Sequence, residues 1–193
     1  CNYIDGEGIS IQEPDYCDNL IHQYTGKDYV IAYQTMGHPH IHRCPGVITH
    51  KDIFKVCPYR EEAGHIADDD FFYRVGQYTD VVGILKPLAS YRLHQKSETG
   101  HLKNNLLVQR LAKDYLYQIK QWKNSSFIDK RSYAYFVRWA KYYIFSEYWI
   151  GVKQKNRKLI IKGKKDLCEL ENVGEKLPLK MKMVYFFTSL FFR

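Results

Sequence analysis

Cysteine is scarce and unpatterned in this chain of 193 residues. Cys1, Cys17, Cys44, Cys57 and Cys168 are odd in number and never stand as CxxC, so neither a disulfide framework nor a zinc ribbon is signalled. A reducing compartment is the simpler setting. Long apolar runs are missing too: no stretch of roughly 18 or more apolar residues is available to cross a bilayer. No internal repeat or low-complexity tract is visible, which argues against repeat architectures and linker-like chains.

What is present is ordinary in bulk and uneven in distribution. A hydrophobic content of 45% and a charged content of 26% suit a folded protein of one or two domains. Aromatics make up 16%, with 17 tyrosines. Such side chains serve interfaces, sugar faces and membrane surfaces, and serve a core equally well, so alone they decide nothing. Residues 1–100 hold 9 Lys and Arg against 14 Asp and Glu, a net −5. Residues 101–193 hold 20 against 7, a net +13. Two segments with such different charge are expected to do different jobs. The acidic one can host a divalent cation, and the basic one favours an anionic partner.

Local pattern predicts a strand ending at 2–4, an acidic loop over 5–8 and a helix over 14–24 stopped by Gly26. A buried strand is predicted over 29–33, a short strand over 46–49, a helical turn over 51–56 and a helix over 68–76. Strands follow at 81–85 and 88–93. Beyond Gly100 the period changes: helices are predicted over 102–122, 129–153 and 177–193, with 156–165 as a basic connector.

Four features bear chemistry, each with a plain structural reading beside it. Asp5-Gly6-Glu7 follows an apolar strand, where oxygen ligands can hold a hard cation against a diphosphate; alone it is also an ordinary turn. In Pro45-Gly46-Val47-Ile48-Thr49, Gly46 lets a backbone approach a ligand, or simply opens a strand. Asp68-Asp69-Asp70-Phe71-Phe72-Tyr73-Arg74 clusters carboxylates that repel unless a metal, a base or an arginine compensates them. One of them can serve as the base for an acceptor hydroxyl; the set can also be a solvated helix start. In Tyr91-Arg92-Leu93-His94-Gln95-Lys96, an imidazole can complete a metal shell while Arg92 and Lys96 meet phosphate; a lone surface histidine is also an ordinary idle side chain. A further alternation, His38, His40, His42 and Cys44, would share one face of a strand, although Pro39 disturbs it; metal binding, acceptor contacts and plain surface all stay open there.

The succession of these motifs resembles GT-A glycosyltransferases, namely family 2 and the related beta-1,4-galactosyltransferase group. The resemblance covers about residues 1–100. It implies an α/β fold, a partial GT-A mixed sheet with a C-terminal helical extension. Residues 1–100 would be the acceptor-side half of the catalytic domain, its nucleotide-binding half lying upstream, and 101–193 a basic, mainly helical extension. By this likeness Asp68 is the catalytic base and Asp69 a sugar contact. Gly46, Asp70, Arg92 and Lys96 bind substrate, and Asp5, Glu7 and His94 hold Mn²⁺ or Mg²⁺. Ala67 and Glu7 depart from the usual pattern, which has Glu and Asp at those positions.

The implied activity is inverting transfer from a nucleotide-sugar donor to a glycan or glycolipid acceptor, at the cytoplasmic face of the plasma membrane. Lys153, Lys155, Arg157, Lys158, Lys162, Lys164 and Lys165, together with the aromatic end over 186–192, suit an anionic membrane surface, and equally suit a solvated charge run with a helix packed on its own domain. Two rivals are an inactive membrane-associated scaffold and a nucleic-acid-binding module. The latter leaves the acidic half and its ordered motifs unexplained, so no nucleic-acid partner is expected.

Overall fold

The computed structural model describes residues 2–12, 21–34, 44–84, 86–94 and 106–191. It is a mixed α/β structure with small sheets. The chain divides into two compact units, one made of Cys1–Asn104 with Ser125–Ser132 and the other of Asn105–Asn124 with Tyr133–Arg193.

In the first unit, β1 (Asn2–Ile4) lies between β2 (Ser10–Gln12) and β5 (Ser90–Arg92). The β1–β2 pairing is antiparallel with a register irregularity, and the β1–β5 pairing is parallel, matching Ile4 to Arg92. A second sheet pairs β3 (Ile21–Tyr24) with β4 (Val81–Ile84), antiparallel. Two helices, α1 (Gly26–Gln34) and α3 (Ala67–Val75), supply the core through Tyr29, Val30, Phe71, Phe72 and Val75. Between them lie a short α2 (Ile53–Val56) and two 3₁₀ segments, Cys44–Gly46 and Glu61–Ile66.

Three expectations fail here. Residues 29–33 form a helix, not a strand; Thr25 caps its start, and Asp28 in turn holds the Thr25 hydroxyl. The Thr25 hydroxyl donates to Asp28 Oδ2 at 2.7 Å and accepts from the Asp28 amide at 3.2 Å. Gly26 therefore starts a helix where a stop was expected, and Ile21–Tyr24 is a strand; residues 14–20 lie outside the described residues. Gly46 closes a 3₁₀ turn, and 47–49 form no strand.

Gly26 and Gly76 meet backbone to backbone. A Cβ built on Gly26 would fall 1.8 Å from the Gly76 carbonyl oxygen, and one on Gly76 would fall 2.2 Å from that of Gly26. Only hydrogen at both positions lets the start of α1 cross the end of α3.

The second unit carries α4 (Leu106–Trp122), the bulk of α5 (Lys130–Lys153), α6 (Arg157–Asn172) and α7 (Leu179–Phe191). Its core reads as helical spacing: Ala112, Leu116 and Ile119 on α4; Phe136, Ala140, Ile144 and Tyr148 on α5; Ile160, Leu167 and Leu170 on α6. Burying each large apolar side chain contributes about 1.5–3 kcal/mol. Gly163 lets α6 approach α5, since a Cβ there would fall 2.7 Å from Tyr148 Cα. The expected connector over 156–165 is thus the first half of α6. Its start is set by Asn156, whose side chain accepts the Leu159 amide at 3.3 Å.

Candidate functional site

The expected site residues fall into two groups within the first unit. The first forms where β1 and β5 end side by side. After Ile4 the chain turns through Asp5-Gly6-Glu7-Gly8 into β2, and Asp5 shapes that turn. Its Oδ1 accepts the amides of Glu7 and Ile9, both at 2.9 Å. These N–H groups, Ile9 foremost, hold the Asp5 carboxyl below its usual range, and Arg92 adds to the effect. Gly8 takes a φ of 94°, which favours glycine.

Parallel pairing delivers the distant partner. Arg92 Nη1 donates to the Gly6 carbonyl at 2.6 Å and to that of Asp5 at 3.4 Å. His94 lies against the same turn, its Cβ 3.8 Å from where a Cβ on Gly6 would be. Asp5, Glu7, Arg92 and His94 are thereby gathered at one end of the sheet, with Glu7, Arg92 and His94 exposed. Gly46 closes a turn that packs on β5. Lys96 and the histidines 38, 40 and 42 lie outside the described residues, as does the Cys44 side chain.

Among the described residues, no group of three or more His, Cys, Asp or Glu side chains is placed to hold a metal ion. Mg²⁺ is ordinarily bound through one or two carboxylates plus the phosphates it serves, without a full protein cage. Of the expected ligands, Glu7 and Asp5 carry carboxylate oxygens and His94 an imidazole nitrogen, on neighbouring segments at this end of the sheet.

The second group sits at the head of α3, where acidic side chains in the first turn complement the helix dipole. Its three carboxylates have different surroundings. Asp68 is half-buried and its Oδ1 accepts the Asp69 amide at 2.9 Å. Asp69 Oδ1 accepts the Tyr33 hydroxyl from α1 at 2.5 Å. Burial, followed by the Asp69 charge, pushes the Tyr33 phenol far above its ordinary value, so it stays a donor.

Asp70 is fully buried. Its Oδ2 receives Arg74 Nε at 2.7 Å and stands 3.6 Å from Arg60 Nε. Arg74 also donates to Cys57 Sγ at 3.1 Å and to the Pro58 carbonyl at 2.7 Å, while burial pushes the Cys57 thiol up. The substrate contact expected at Asp70 is therefore replaced by an internal ion pair. An Asp four residues before an Arg on one helix was the sequence signal for it. Tyr33 was not anticipated at all, because its pairing with Asp69 depends on the crossing of α1 and α3. No family model matches the chain, and comparison with curated proteins and with solved structures returns no match.

Proposed function

We propose that the protein is a sugar-nucleotide-dependent, inverting glycosyltransferase of the GT-A type. In this reading the edge made by β1 and β5 receives the donor's diphosphate, and the head of α3 works on the acceptor, a glycan or glycolipid. One observation carries the proposal. A turn and a strand end 87 residues apart, joined by the Arg92–Asp5 contact, meet at the carboxyl ends of two parallel strands. That is where open α/β sheets bind their ligands.

Each residue then has a task. Arg92 presents guanidinium N–H groups to phosphate oxygens, and Gly6 leaves room for a ligand beside the turn. Glu7 and His94, with Asp5, would hold Mn²⁺ or Mg²⁺, which neutralises charge on a departing diphosphate when bound. Asp68 takes the proton of the attacking acceptor hydroxyl. Asp69, oriented by Tyr33, receives a hydrogen bond from the acceptor sugar.

Calorimetric titration of the protein with uridine and guanosine diphosphates in the presence of Mn²⁺ tests the first half of this reading. Binding is expected to weaken about tenfold or more in Arg92→Ala, since charge-assisted pairs contribute about 1.5–3 kcal/mol. Glu7→Gln should weaken the Mn²⁺ dependence alone. Affinity unchanged in both variants, or no affinity for either nucleotide, contradicts the proposal.

A further inference from the structure

The last helix has two unlike sides. Met181, Val184, Tyr185 and Thr188 are half-buried. Tyr185 packs edge-on against Tyr148 at 5.1 Å, and the Thr188 hydroxyl lies 2.6 Å from that of Tyr148. Leu179, Met183, Phe186 and Phe187 are exposed by 74%, 51%, 60% and 55%. Their spacing of four, three and one residues gathers them into one stripe along the helix. Lys180 and Lys182, both exposed, fall on opposite margins of that stripe. No Asp or Glu occurs from Lys176 to the end of the chain.

We propose that α7 is an interfacial anchor whose apolar stripe beds into an anionic lipid surface, with Lys180 and Lys182 reaching the lipid phosphates. It rests on the second unit alone and is independent of the catalytic reading. Charge complementarity selects the occupant. A stripe edged by lysines in a segment of net +13 is repelled by a second copy of itself and attracted by anionic headgroups. Length sets the mode of insertion. Thirteen residues span about 20 Å, short of the roughly 30 Å hydrocarbon core, so the helix lies in the interface plane. No helix among the described residues is long and apolar enough to cross a membrane. Lysine stems lie along apolar surface while their ammonium groups stay among polar heads, which suits the margins of such a stripe.

Co-sedimentation of the full chain with two vesicle types decides the matter: phosphatidylcholine alone, and phosphatidylcholine with an equal part of phosphatidylglycerol. Binding is expected to the second and not the first, and it should fade as the Debye length falls to about 3 Å at 1 M salt. Lys180→Gln with Lys182→Gln should lower partitioning by about 25-fold, about fivefold per lysine. Phe186→Ser with Phe187→Ser should lower it at least about tenfold. All four side chains are exposed, so circular dichroism melting should be unchanged in both variants and show that the loss is not unfolding. Equal binding to both vesicles, or none to either, overturns the proposal. So does self-association that vanishes in the double serine variant, which would make a second copy the occupant.

Discussion

Tyr33 on α1 holds Asp69 on α3 through a hydrogen bond of 2.5 Å across 36 residues of sequence. This bond separates the central carboxylate of the acidic run from its neighbours. Tyr33→Phe removes one charge-assisted hydrogen bond to a part-buried carboxylate, so it should cost about 1.5–3 kcal/mol. Urea denaturation checks this, and an unchanged midpoint contradicts the bond.

Asp68 and Asp69 are distinguished by their partners. Asp69 accepts the Tyr33 phenol and Asp68 accepts the Asp69 amide, and in the proposed function Asp68 is the base. Asp68→Asn should lower the transfer rate by about 10²–10⁴ with donor affinity little changed. Asp69→Asn should chiefly raise the acceptor KM. The reverse pattern, with Asp69→Asn abolishing turnover and Asp68→Asn leaving it intact, assigns the base to Asp69.

The two facing glycines make a sharp stability test. In Gly26→Ala a methyl group would overlap the Gly76 backbone carbonyl, which no side-chain rotation relieves. A loss of about 3 kcal/mol is expected, at the upper end of overpacking penalties. Melting of Gly76→Ala should show a comparable loss. Near-neutral stability in both contradicts the close crossing of α1 and α3.

Glu147 gives the second unit a pH dependence of unusual sign. The residue is fully buried on α5, with Lys162 Nζ at 2.5 Å from Oε1 and Asp166 sharing that lysine at 3.0 Å. Burial outweighs the lysine and pushes the carboxyl up to about 7. A folded-state value above the unfolded one means that the folded protein holds the extra proton. The associated stability is present below the unfolded value of 4.5 and is lost as pH rises through about 7. Melting should therefore worsen from pH 5 to 7 by at most about 1.4 kcal/mol per unit, and Glu147→Gln should flatten that slope. A slope that persists in the variant contradicts the assignment.

The helices α3, α4 and α5 and the short strands β1, β4 and β5 were legible from sequence, while α1 and the first half of α6 were not. The spacing of Leu107, Leu111, Tyr115 and Ile119 marked α4, and the acidic start with Gly76 marked α3. Tyr29-Val30-Ile31 reads as strand by composition, yet the Thr25–Asp28 cap and the burial of Tyr29 and Val30 settle it as helix. The run around Lys158 looked like a solvated connector because its lysines hide the period of Ile160, Gly163, Leu167 and Leu170. In the candidate site the division lies between local motif and tertiary placement. Its residue types were visible in local motifs, while the union of Arg92 and His94 with the Asp5–Gly6 turn is a consequence of parallel pairing. The enclosure of Asp70 by Arg60 and Arg74 is likewise tertiary.

Sugar transfer itself is the sharpest test of the catalytic proposal. The protein is incubated with Mn²⁺, a panel of uridine-, guanosine- and thymidine-diphosphate sugars and mixed glycan acceptors, and released nucleoside diphosphate is measured. Release that requires acceptor, and that falls about 10²-fold or more in Asp68→Asn, is the expected result. No acceptor-dependent release with any donor, or equal release by wild type and Asp68→Asn, contradicts the assignment of this chain as a glycosyltransferase.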